Sequence, residues 1–370
     1  MPVAYLTNQG CMVKRRGDAL LIIDDKDVIG TLHVHRLTGV YIFGRIHLTL
    51  PALDLLLGRS VPVAFFSSRG ILKGHLIPPR NFAVRIRIAQ YRCFSQSQMR
   101  LRFARAIVVA KIQGAKILLR CFASNHPRSI PSNVSKILDQ QCQHAQDASS
   151  LETLRGIEGY AAKVYFQSLS FMNRSALPFN GRSLRPPNDP INAMLSLGYV
   201  LLCTELTNLL DAAGLDPYLG FYHEPTSSEG TNSKPALALD LLEPLRHLLI
   251  DRFCLSEANR RVFQPDDFEQ RQAGKKTGIF LKPQAFKRFL SRYDAWMRQE
   301  RASGKPSYRS LLQARVEKFR SILSNDRSFD PNLSSPQKHA GFLEKLQEDL
   351  SKLFDAASFF SDSSECKAEP

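Results

Sequence analysis

The chain has 370 residues, a formal net charge of +16, and 44% hydrophobic against 23% charged residues. This globular balance excludes a disordered or low-complexity protein, and the length favours two domains over a single core. No uninterrupted apolar run reaches the roughly 18 residues a bilayer requires, and the seven scattered cysteines form no C-x-x-C pair, so the reading is a cytoplasmic protein with reduced thiols and no membrane contact.

Residues 1–79 alternate apolar and polar side chains over short runs, which predicts strands at 3–6, 19–23, 31–35, 39–43, 63–66 and 71–77. A short helix over 51–57 begins on Pro51, and Arg16-Gly17-Asp18 is one of the turns between strands. This is a small N-terminal β-sheet domain, sandwich-like. Pro78-Pro79 ends that pattern, and the period lengthens from two to about 3.6. Helices are expected over 81–93, 97–123, 131–145, 149–170, 189–214, 237–256, 265–270, 283–302 and 307–325, a larger all-α domain spanning 80–325. The fold class is therefore α+β. Asp189 and Pro190 form a capped helix start, and 226–234 is a Ser/Thr/Gly-rich loop. The GKKTG string at 274–278 lacks the earlier glycine and preceding strand of a phosphate-binding loop and reads as a turn. The tail, 326–370, carries an amphipathic stretch over 336–354 and a disordered end.

Charge is distributed unevenly. Residues 55–138 contain 15 Lys and Arg and no Asp or Glu. The densest part holds Arg80, Arg85, Arg87, Arg92, Arg100, Arg102, Arg105, Lys111, Lys116 and Arg120. Phe82, Ile86, Tyr91, Phe103 and Ile107 are interleaved with them, so the segment folds rather than staying a solvated charge block. A folded cationic surface of this density suits a phosphate backbone; an acidic membrane surface and a merely solvated face are the alternatives.

Candidate chemistry lies further along. Asp240 and Glu243 are three apart in LALDLLEPLRHLL and share a helical face. Carboxylates in so apolar a helix need a compensating cation, and spacing alone suits a metal or an arginine partner such as Arg246 equally. His223 follows Gly220-Phe221-Tyr222, and Glu158 sits in RGIEGYAAKVYF beside an apolar face of Ile157, Ala161, Val164 and Tyr165. One imidazole and hard oxygens in a cationic protein point to divalent-metal chemistry on nucleic-acid phosphates.

Four strings, RGIEGYAAKVYF (155–166), FNGRSLRPPNDPINAMLSLGYVLL (179–202), GLDPYLGFYHE (214–224) and LALDLLEPLRHLLID (237–251), resemble the CRISPR-associated spacer-integration endonucleases, the "Cas-one" family. The resemblance covers about residues 1–325. It implies that Glu158, His223 and Glu243 hold Mg²⁺ or Mn²⁺, with Asp240 orienting ligands or binding water. It implies a DNA endonuclease and integrase in antiviral defence that inserts captured fragments into a CRISPR array. The 3′-hydroxyl of the fragment would attack a phosphodiester at a repeat boundary. The implied partners are fragment ends, branched DNA and the CRISPR repeat, a second copy of the chain joined through the β domain, and a small ferredoxin-like "Cas-two" protein. Arg80, Arg85, Arg87, Arg92, Arg102 and Arg105 then read as the DNA track, and Arg182 and Arg185 as phosphate contacts or braces of the catalytic helices. Two features depart from the family pattern: the loop between His223 and Asp240 is longer, and His247 stands where proline is common. Four residues past Glu243, His247 is a candidate addition to the site. A transposase-type integrase with the same chemistry and a non-catalytic scaffold whose acids pair with arginines are the rival readings.

Overall fold

In the computed structural model, the described residues are 2–78, 84–127, 129–183, 186–224, 234–273, 276–299, 306–324 and 336–355. Arg80, Arg185, most of the 226–234 loop, Gly274-Lys275 and the end of the tail lie outside them. Contacts divide the chain into two units. The first joins Met1–Asn81 to Phe280–Arg309, and the second joins Phe82–Ile279 to Ser310–Pro370.

Short β-branched and aromatic runs supply eight strands in the first unit: β1 (Val3–Leu6), β2 (Met12–Arg16), β3 (Ala19–Asp24), β4 (Asp27–His33), β5 (Gly39–Phe43), β6 (His47–Leu48), β7 (Val63–Phe66) and β8 (Leu72–Leu76). Helix α1 (Leu50–Gly58) lies between β6 and β7. They form two four-stranded sheets ordered β1-β5-β7-β8 and β4-β3-β2-β6. Strand β5 has parallel neighbours on both sides and is buried throughout, which explains its continuous GVYIF run. Ala4, Leu6, Val40, Ile42 and Val63 of one sheet pack with Val13 and Leu20 of the other and with Ala52, Leu55 and Leu56 of α1. One core between two sheets is the sandwich-like arrangement expected.

The second unit is mostly helical: α2 (Val84–Ser95), α3 (Ser97–Asn125), α4 (Asn133–Asp147), α5 (Leu151–Met172), α6 (Pro190–Ala212), α7 (Ala236–Leu242) and α8 (Arg252–Asn259). A hairpin of β9 (Phe268–Ala273) and β10 (Lys276–Leu281) follows, then α9 (Pro283–Arg298), α10 (Tyr308–Ser324) and α11 (Pro336–Phe354). The start of α6 is capped as expected: Asp189 accepts the Asn192 N–H at 2.7 Å, with Pro190 in the first turn. Ser150 caps α5 through the Thr153 N–H. Helix α6 is long and apolar enough to cross a membrane by length and composition, but 67% of its most apolar window is buried inside the protein, as in a core helix. Helix α9 belongs with the first unit, where Phe286 meets Phe43 edge-on at 5.3 Å and Lys287 donates to Asn8.

The structure corrects three local expectations. Strand β2 was not expected, because MVKRR buries only Val13; pairing with β3 across the Gly17-Asp18 turn holds it. The helix expected over 265–270 is a 3₁₀ turn, Pro265–Asp267, that leads straight into β9. The helix expected over 237–256 is broken. Pro244 has no N–H and would clash with the preceding turn, so α7 stops at Leu242 and the chain resumes as a wide π turn over His247–Asp251.

Candidate active site

Helix α3 is apolar along one side, with Val108, Ala115 and Leu118 buried at helical spacing around Lys111. It packs closely on the Pro244–Leu248 bend because Gly114 has no side chain: a β-carbon there would stand 3.2 Å from the Pro244 carbonyl oxygen. This approach places the Lys111 ammonium 2.5 Å from Glu243 Oε2, and the same ammonium pairs with Glu158 Oε1 from α5. The Lys111 and Glu243 side chains are each 7% exposed, and Glu158 is 20% exposed.

The histidine arrives on the loop after α6. Asp240, fully buried in α7, accepts the backbone N–H groups of Phe221, Tyr222 and His223 at 2.5, 3.0 and 2.9 Å. Its Oδ1 also faces His223 Nδ1 at 2.8 Å. A carboxylate oxygen accepts here, so Nδ1 donates, and Nε2 is the nitrogen that can serve as a ligand once the ring is deprotonated. That Nε2 lies 4.0 Å from Glu243 Oε1, on a side chain 33% exposed. Gly220 makes the turn possible, since a β-carbon would come within 2.8 Å of the His223 carbonyl oxygen. Glu224 then pairs with Arg155 of α5 and Arg100 of α3, fastening the far end of the loop.

Glu243 is also held from behind. Arg246 donates to Oε1 at 3.1 Å and Oε2 at 3.0 Å while lying 4.4 Å from the Tyr199 ring centre. Burial would raise the Glu243 carboxyl, but Arg246, Lys111 and His223 outweigh it and hold it well below the usual range. Burial likewise opposes charge on His223, but the hydrogen bond and charge of Asp240, with Glu243, raise its pKa above the ordinary histidine value.

His247 turns to Asp251 instead: Nδ1 is 2.7 Å from Asp251 Oδ2, and the ring packs 4.0 Å from that of Tyr165. Tyr165 and Tyr199 both donate to Asp251. Burial lowers the His247 pKa; it opposes Asp251 too, but His247, Arg246 and Tyr199 prevail and lower that carboxyl. Both depressed values mean that the unfolded chain takes up protons the folded one refuses. Stability is therefore held near neutrality, lost as pH falls below about 6.5 through His247 and further through the carboxylate range. Urea unfolding at pH 7 and pH 5 is expected to show a loss of stability through His247, set against the opposite contribution of the raised His223, and His247→Gln is expected to flatten that loss.

Of the cationic track, Arg85, Arg92 and Arg120 are exposed, while Arg87 reaches Asp211 at 3.7 Å. Arg105 donates to the Ala148 carbonyl at 2.7 Å, and Arg102 is partly exposed. Lys111, counted with this track on sequence, is buried among the acids. Arg182 braces α6 through Asn192 Oδ1 at 2.7 Å and Ser196.

The model of the CRISPR associated protein Cas1 family matches residues 4–295. The chain belongs to the Cas1 family. It is 35% identical over 89% of its length to a Cas4/Cas1 exonuclease–endonuclease fusion of Geobacter sulfurreducens, of which it spans 59%. A CRISPR-associated endonuclease Cas1 of Thermus thermophilus is 34% identical over 78% of this chain and 85% of its own. The solved Cas1 structure from Thermotoga maritima aligns with a TM-score of 0.74 at 23% identity, covering 88% of this chain and 98% of that one, and shows the same fold.

Among the described residues, no three His, Cys, Asp or Glu side chains stand close enough together to hold a metal ion as placed. The donors nevertheless fit one. Two carboxylates, Glu158 and Glu243, meet on a position already filled by positive charge, the Lys111 ammonium, and His223 Nε2 lies 4.0 Å from Glu243 Oε1. Hard oxygens with one imidazole suit Mn²⁺ or Mg²⁺.

Proposed function

We propose that this chain is a divalent-metal-dependent DNA endonuclease and integrase that inserts fragments into a CRISPR array. The observation that carries this reading is the meeting of Glu158 and Glu243 on one cationic position, with His223 Nε2 4.0 Å from Glu243 Oε1, inside a Cas1-family fold. Those three residues would hold Mg²⁺ or Mn²⁺, which when bound polarises the phosphate and stabilises oxyanion charge. Asp240 fixes the imidazole so that Nε2 faces the site, and Arg246 keeps the Glu243 carboxylate ionised and aimed. The 3′-hydroxyl of a fragment attacks a phosphodiester at the repeat boundary, one P–O bond forming as another breaks. The displaced 3′-oxygen takes up a proton. The exchange is nearly energy-neutral, so no nucleotide hydrolysis is needed. A second copy of the chain and a Cas-two protein complete the assembly, acting on DNA in the cytoplasm.

The test uses the full chain with the Cas-two protein, a supercoiled plasmid bearing a repeat array, and fragments ending in a 3′-hydroxyl or a 3′-deoxy group. Metal-dependent joining of the hydroxyl-ended fragments alone is the expected result. Equal products from both, or none with either metal, would falsify the proposal.

The arginines make a separate prediction. Reversing Arg85, Arg92 and Arg120 to glutamate is expected to weaken duplex binding about tenfold or more at low salt and to flatten the salt dependence. The binding isotherm as a function of salt measures both, and an unchanged slope would place the DNA elsewhere.

A further inference from the structure

A lysine inside a site built for a divalent cation has to be accounted for. Lys111 is buried, and its ammonium is shared between Glu158 and Glu243, the two carboxylates that would ligate the metal. Arg246, the other cation on Glu243, is immobilised by two hydrogen bonds and by the Tyr199 ring. Lys111 differs in kind: a compact charge on a flexible four-carbon stem, withdrawn by rotation about a few bonds. Without a positive charge between them, Glu158 and Glu243 would repel each other in a partly desolvated pocket.

We propose that Lys111 is a tethered counter-ion that competes with the divalent metal for the space between Glu158 and Glu243. In the metal-free protein it holds both carboxylates together, so the site is preformed. For the metal to enter, the ammonium leaves, and this displacement weakens metal binding relative to the same three ligands alone. The inference rests on the metal-site reading above.

The experiment is calorimetric titration of Mn²⁺ into the metal-free full chain, with urea unfolding of the same samples. Lys111→Met is expected to bind Mn²⁺ about tenfold or more tighter, the change expected on removing a like charge a few ångströms away. It is also expected to unfold at lower urea than the parent without metal, and Mn²⁺ is expected to close that gap. Lys111→Gln keeps a hydrogen-bond donor without the charge and is expected to bind Mn²⁺ tighter as well, which preserves the test if the methionine variant does not fold without metal. Lys111→Arg keeps the charge and is expected to bind no more tightly than the parent. Parent-like or weaker Mn²⁺ binding in the neutral variants overturns the counter-ion role. If Glu158→Ala binds Mn²⁺ as the parent does, the metal site itself is wrong and the inference falls with it. If Glu158→Ala loses Mn²⁺ while Lys111→Met and Lys111→Gln match the parent, only the role of Lys111 fails.

Discussion

Glu243→Gln is expected to lower strand joining and cleavage at least about a thousandfold, because in the proposed site one neutral oxygen replaces a metal-binding carboxylate. The change is isosteric, and the arginines of α2 and α3 are untouched, so duplex binding is expected to stay within about threefold. Three elements converge on this carboxylate: Lys111 from α3, Arg246 from the bend, and His223 Nε2 from the loop. Removing its charge leaves the partly buried Arg246 facing a neutral amide and Lys111 with Glu158 alone, so a loss of folding stability of about 1–3 kcal/mol accompanies the loss of rate. Single-turnover joining of a 3′-hydroxyl end, with calorimetric metal titration, separates the two effects. A variant that keeps a tenth of the parental rate at saturating metal would remove Glu243 from the ligand set.

Asp240→Ala is expected to do nearly as much damage by a different route. The carboxylate satisfies three consecutive backbone N–H groups and the His223 ring. Deleting it orphans buried donors at roughly 1–3 kcal/mol each, so the metal-free chain is expected to lose about 3–5 kcal/mol. The imidazole also loses the partner that fixes its tautomer, so metal affinity is expected to fall about 10- to 100-fold. Urea unfolding and Mn²⁺ titration measure the two. A stable variant with unchanged metal affinity would show that the loop holds its shape without the acid.

Where signals were local, the sequence was a good guide. Helix α6 announced itself through Asp189-Pro190, and the change of period after Pro78-Pro79 separated sheet from helix. Strand β2 stayed hidden because its stability comes from partners, with only Val13 facing inward. Pro244 was a visible helix breaker, yet the leucines on either side suggested one continuous helix; the π turn could not be inferred from periodicity. Family resemblance supplied Glu158, His223 and Glu243 as a set; the structure joins Glu158 and Glu243 through Lys111 and sets His223 Nε2 4.0 Å from Glu243. Lys111 was counted with the DNA-facing cations because net charge ignores direction. Its neighbours carried the missing signal: Val108, Ala115 and Leu118 at helical spacing put it on the apolar face of α3. The Tyr165–Asp251–Tyr199 group gave no pattern, since its members are brought together from three segments.

The clasp that Asp240 makes on residues 221–223 also separates two kinds of freedom. Both feet of the intervening stretch are fixed, one by this carboxylate and the other by the start of α7. Chain inserted between Glu224 and Pro235 can therefore lengthen or change without a lever arm on the imidazole. A change of length or sequence between those two ends is thus insulated from the position of His223, which the described residues on either side set.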